Sequence, residues 1–86
     1  MVMRVWQGTT PDGYGLLVER DESDCWIVTV ASVSRSRNAS LETALLDAGG
    51  SSVSRLWAAR LAAVAARRVA DMVSERRPHG SRTGAA

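Results

Sequence analysis

Cys25-Trp26-Ile27-Val28-Thr29-Val30-Ala31-Ser32-Val33 is the stretch on which the fold turns. Trp26, Val28 and Val30 fall on one side of an extended chain and Cys25, Ile27 and Thr29 on the other, the two-residue period of a strand with one buried face. Residues 14–20 share that period, with Tyr14, Leu16 and Val18 opposed to Leu17 and Glu19. Asp21-Glu22-Ser23-Asp24 between the two segments reads as a turn. Residues 2–7 alternate poorly but are rich in Val and Trp, and they lead into Thr10-Pro11-Asp12-Gly13. There Pro11 presets φ and Gly13 admits a positive one, so a hairpin is predicted. The result is a three-stranded antiparallel meander.

Downstream, Ser34-Arg35-Ser36-Arg37-Asn38 reads as a polar linker. Ser40 is an N-cap for a short helix over 41–48, which Gly49-Gly50 stops. Ser51 or Ser52 then caps a long helix over 53–76, ended by Pro78 and Gly80. At 100° per residue Val53, Trp57, Leu61, Val64, Ala65 and Met72 form its apolar stripe. Arg55, Ala59, Arg60, Ala63, Ala66, Arg67 and Ala70 gather opposite, and Arg68 intrudes on the apolar arc. The predicted architecture is α+β in the order βββαα, with both helices on one sheet face. It makes one domain over 1–76, followed by a disordered basic tail over 77–86. Trp6, Trp26 and Trp57 are expected to meet where helix covers sheet and, with no Phe present, to fill much of the core. Leu17, Glu19, Cys25 and Ile27 then lie on a second, partly open face.

All eleven basic residues are Arg, and the net charge of the 86-residue chain is only +2. The distribution is uneven: residues 1–38 carry four Arg against five acids, and residues 39–86 seven against four. Two charged surfaces are candidates for partner binding. One is the acidic hairpin Glu19, Asp21, Glu22 and Asp24, and the other is the Ala-lined helix face of Arg60 and Arg67, where small side chains let another backbone approach. The alternative is nucleic-acid binding through Arg35, Arg37, Arg55, Arg60 and Arg67, with alternating Ser and Arg in the linker gripping phosphates.

Catalytic chemistry finds no support. His79 sits in the tail beside Pro78 and Gly80, Cys25 has no histidine partner in an ordered region, and no nucleophile–base pair can be named. The acidic cluster lacks the Gly-centred loop of a calcium site, so no metal and no cofactor are expected. Gly13 and Gly15 precede no helix and make no phosphate cradle. A single cysteine, no apolar leader at Met1–Trp6 and no long apolar run predict a soluble cytoplasmic protein without membrane contact or a small-molecule substrate.

Three segments resemble the N-terminal domain of HicB-type antitoxins: Gly15-Leu16-Leu17-Val18-Glu19-Arg20-Asp21-Glu22, Cys25-Trp26-Ile27-Val28-Thr29-Val30 and Ser40-Leu41-Glu42-Thr43-Ala44-Leu45. The likeness is a strand ending in acids, a W-x-V-x-V strand and a helix start of the "T-L-E-E-A-L" kind. It implies a module that neutralises a partner, as in a toxin–antitoxin pair. The functional expectation is therefore a small non-enzymatic protein-binding module of bacterial or phage origin: antitoxin-like, adaptor or inhibitor. So small a domain is expected to bind a protein partner or to self-associate, for instance as a homodimer.

Overall fold

A computed structural model of the chain describes residues 1–76, and the tail expected to be disordered, with His79, lies outside the described residues. Four strands come first: β1 (Val2–Thr9), β2 (Gly15–Asp21), β3 (Trp26–Val30) and β4 (Ser34–Asn38). They form an antiparallel meander in the order β1-β2-β3-β4. Two helices follow, α1 (Leu41–Gly49) and α2 (Arg55–Arg76), joined by a 3-10 turn at Gly50–Ser52. The α+β class and the two helices agree with the sequence reading; the strand count does not.

The fourth strand is the segment expected to be a linker. The chain reverses just after Val30, where Ala31 and Ser32 take φ of 54° and 60° and the Val33 N–H donates to the Val30 carbonyl at 3.1 Å. Two consecutive left-handed residues make a mirror-image hairpin turn, normally signalled by Asn-Gly, and neither residue is present here. β4 also lacks apolar residues. Its inward positions are Ser34, Ser36 and Asn38, and the Ser34 hydroxyl donates to the Ala48 carbonyl of α1 at 2.7 Å. A strand whose inner face is small and polar has no hydrophobic period to read.

β1 alternates poorly because it is bulged. Arg4 pairs with Glu19 and Trp6 with Val18, leaving Val5 as an extra residue. Both Val5 and Trp6 thereby turn toward the helices, and Val5 is buried. The β1–β2 turn forms as read, with Gly13 at φ 90° and the Tyr14 N–H donating to Thr10 Oγ1 at 3.0 Å. Tyr14 itself stays in the turn and is exposed.

α1 lies over β3 and β4, and α2 packs on α1 and β1. Leu45, Val5, Val18 and Val28 are the largest fully buried side chains between the layers. Of the tryptophans only Trp26 is buried; Trp6 and Trp57 sit at the core's margin, so the rings do not fill the interior as expected. Ile27 is buried although it lies on the face opposite Trp26 and Val28, between its register partners Glu19 and Arg37. On this second sheet face Leu17, Glu19, Cys25 and Thr29 are half-buried and Arg35 and Arg37 exposed.

The cap of α2 and one position of its apolar stripe differ from expectation; Trp57, Leu61, Ala65 and Met72 face inward as read. Ser54, rather than Ser51 or Ser52, is the cap, its Oγ accepting from the Trp57 N–H at 3.2 Å. Val53 is extended, with φ −122° and ψ 116°, and is buried against Gly49. The helix then buries Ala58, Leu61 and Ala65, with Ala62 and Val69 against them. Val64, expected inside, is exposed.

Two substitutions test these local accounts. A methyl at Gly49 would overlap Val53 Cγ2, so Gly49→Ala, which ordinarily favours a helix, is expected to cost about 1–3 kcal/mol in urea unfolding. Ala31→Asn with Ser32→Gly supplies the residues that a left-handed turn prefers and is expected to stabilise by about 1 kcal/mol. A neutral or destabilising result would exclude the turn.

Candidate functional site

Asp21 ties the acidic hairpin to the strand beyond it. Its Oδ1 accepts from the Ser23 N–H at 2.9 Å and the Cys25 N–H at 3.0 Å, which closes the turn around Asp24, a left-handed residue at φ 62°. Its Oδ2 accepts from Arg37 Nε at 2.7 Å, across β3. The Arg37 hydrogen bond, helped by the two backbone donors, holds the Asp21 carboxyl below the ordinary carboxylate range. Residues assigned by sequence to rival surfaces are thus partners of one another.

The rest of the acidic group is similarly engaged. Arg20 Nε lies 3.6 Å from Asp24 Oδ1 while its guanidinium stacks 4.6 Å from the centroid of the Trp26 ring. Glu22 meets the Met1 amino group at 2.6 Å. Only Glu19 has no ion pair among the described residues. Much of the hairpin's negative charge is therefore answered within the chain.

The five arginines of the nucleic-acid alternative are divided between two sides. Arg35 and Arg37 alternate with Ser34 and Ser36 along β4, so the guanidinium groups lie on the helix-free face and the hydroxyls face α1. Ser and Arg cannot converge on one phosphate. Arg55, Arg60 and Arg67 are exposed on α2, in the opposite layer.

α2 makes a second surface where it runs above β1. Arg55, Ala59, Arg60, Ala63, Ala66, Arg67 and Ala70 are all exposed, as the helical period predicted. Leu56, Val64 and Val73 join them at 63%, 54% and 51% exposure, which the sequence did not indicate. At the margin of β1 the Trp6 ring lies over Gly8, where any Cβ would overlap it. That packing turns the indole along the strand. Trp6, Thr9, Trp57, Arg60, Leu61 and Val64 then enclose a groove of about 320 Å³. Arg68, the intruder in the predicted stripe, is exposed and borders the adjoining depression beside Arg4.

Among the described residues no three His, Cys, Asp or Glu side chains gather as a metal set, and no helix is long and apolar enough to cross a membrane. Cys25 is free and half-buried, its N–H held by Asp21. Comparison of the chain with protein-family models, with curated proteins and with solved structures finds no match.

The Asp21 clamp carries a pH dependence of known sign. A carboxyl whose folded-state pKa is lowered contributes its stability in full above its ordinary value of 3.8 and loses it as pH falls through the lowered folded value. Asp21→Asn keeps a side-chain oxygen for the turn but cannot titrate. Its denaturation midpoint is expected to fall less steeply below about pH 4 than that of the parent chain. Parallel acid limbs would show that Asp21 is not the titrating group.

Proposed function

We propose that this chain is a small non-enzymatic protein-binding module, an adaptor or antitoxin-like inhibitor, that engages a protein partner or a second copy of itself through the outward side of α2. One observation carries the reading. α2 buries Ala58 and Ala65 completely while leaving Leu56, Val64 and Val73 more than half exposed. Burying a Leu or Val side chain is worth about 1.5–3 kcal/mol, and a helix serving only this core would turn its larger residues inward. Large apolar residues on the outer side of a helix fit a second contact. Arg60 and Arg67 among the exposed alanines suit it to a partner with carboxylates.

The absence of a nucleophile–base pair in the sequence supports a non-enzymatic role, and the lone free Cys25 fits the cytoplasm. Nucleic-acid binding through Arg55, Arg60 and Arg67 is the second reading. It is less favoured because Arg35 and Arg37 lie in the other layer and Arg37 is paired.

Affinity capture of the tagged full chain from its native host, with and without nuclease, together with light scattering of the purified protein, tests the proposal. The parent chain is expected to retain a nuclease-resistant protein in near-stoichiometric amount or to run as an oligomer. Leu56→Glu with Val73→Glu, both at exposed positions, is expected to weaken that association at least about tenfold while leaving the circular dichroism unchanged. A monomer that retains nothing, or only nuclease-sensitive material, would overturn it.

A further inference from the structure

The geometry points to a docking groove along the outer edge of β1, beneath α2, for an extended acidic segment of a partner protein with the pattern acid-x-apolar-x-acid. The inference deepens the protein-binding reading and rests on it. Two adjoining depressions, of about 320 and 310 Å³, share Trp6. The first is the apolar well between the two tryptophans, Leu61 and Val64. The second is polar, bordered by Arg4, Gln7 and Arg68. Together they follow β1 on the side where the sheet order leaves its backbone without a neighbouring strand. Extended peptides add to such edges by main-chain hydrogen bonding, with side-chain pockets selecting their sequence.

Charge identifies the occupant. Arg4, Arg60 and Arg68 border the groove, all are exposed, and none pairs with a carboxylate among the described residues. Glu19 stands opposite Arg4 in register yet forms no ion pair with it. Asp21 and Asp24 are held by Arg37 and Arg20. Arg60 and Arg68, two unpaired guanidinium groups of α2 on either side of Val64 and the apolar well, are complementary to a segment carrying acids on both sides of an apolar residue.

Spacing then fixes the pattern. Arg60, Val64 and Arg68 succeed one another at four-residue intervals and form one ridge of α2. Eight residues of helix put the two arginines about 12 Å apart along the axis. In an extended peptide, residues i, i+2 and i+4 point to one side, and the outer two lie about 13 Å apart. Acids at i and i+4 match Arg60 and Arg68, and an apolar residue at i+2 meets Val64 and the Trp6 well. The groove suits a nucleic acid less. One face of the Trp6 ring is occupied by Gly8, and the well continues into aliphatic Leu61 and Val64 in place of an open stacking platform.

Fluorescence anisotropy on the full chain tests this with labelled ten-residue peptides on a Ser/Thr background. One carries Asp-Ser-Leu-Ser-Asp. The others place the two acids side by side, replace the acids with lysines, or replace the leucine with serine, and a thymidine single strand is the nucleic-acid probe. The first peptide is expected to bind at least about tenfold tighter than every other probe, with a change in tryptophan emission. Arg60→Glu with Arg68→Glu is expected to abolish that binding and to create binding of the lysine peptide; Val64→Gln is expected to weaken it without reversing the charge preference. All three positions are exposed, so the variants are expected to keep the parent circular dichroism spectrum. Equal affinity across the peptides, tightest binding of the thymidine strand, or an unaltered profile in the charge-reversed variant would overturn the groove. If the groove fails while the Leu56 and Val73 substitutions still release a partner, the protein-binding reading stands without it.

Discussion

The contact of Val53 with Gly49 decides what α2 presents to solvent. Gly49 has no side chain, so Val53 can leave the 3-10 turn in extended form and bury itself beside α1. Ser54 caps the helix one residue later, and from that start the helical period directs Ala58, Leu61 and Ala65 inward. Leu56, Val64 and the arginine ridge are consequently outside. A small contact between the last residue of α1 and the connector before α2 thus bears on the chemistry of the surface.

Alanine is what makes this phase tolerable. Ala58 and Ala65 add little hydrophobic area, but they allow α2 to settle closely on α1 and β1, and dispersion contacts at close range offset some of what larger residues would contribute. The domain stays small in its core as a consequence. Leu56, Val64 and Val73 turn outward and leave apolar area uncovered by the described residues, where the proposed partner would make its contact.

Legibility from sequence followed the presence of a hydrophobic period. β2 and β3 were readable because Leu16, Val18, Trp26, Val28 and Val30 alternate with residues of the other face, and the first turn because Pro11 and Gly13 have defined backbone roles. β4 was unreadable because its inward side is Ser and Asn, and the turn before it uses Ala31 and Ser32 at left-handed angles without a Gly or Asn to announce it. The bulge at Val5 erased alternation in β1. On α2 the exposed arginines and alanines and most of the inward stripe were placed correctly, but Val64 was put inside and the buried Ala58 was not picked out, because a larger apolar residue outweighs an alanine in a hydrophobic period. The groove escaped notice for a related reason. It joins residues some fifty positions apart in sequence, through a ring orientation that Gly8 permits and that no local pattern records.

Charge divides differently in space than along the chain. By sequence the first half is acidic and the second basic, yet Arg20 and Arg37, both from the first half, answer the acids of the β2–β3 hairpin. Arg4, also from the first half, lines a depression with Arg68. Asp21, Glu22 and Asp24 are thus paired at the hairpin, whereas Arg4 and Arg68 along the β1 edge have no ion pair among the described residues. Those arginines stand on a strand and a helix, with the Trp6 ring fixed against Gly8 between them. A partner entering there would meet side chains whose backbone positions are already set, so less ordering entropy would oppose binding than on a loop.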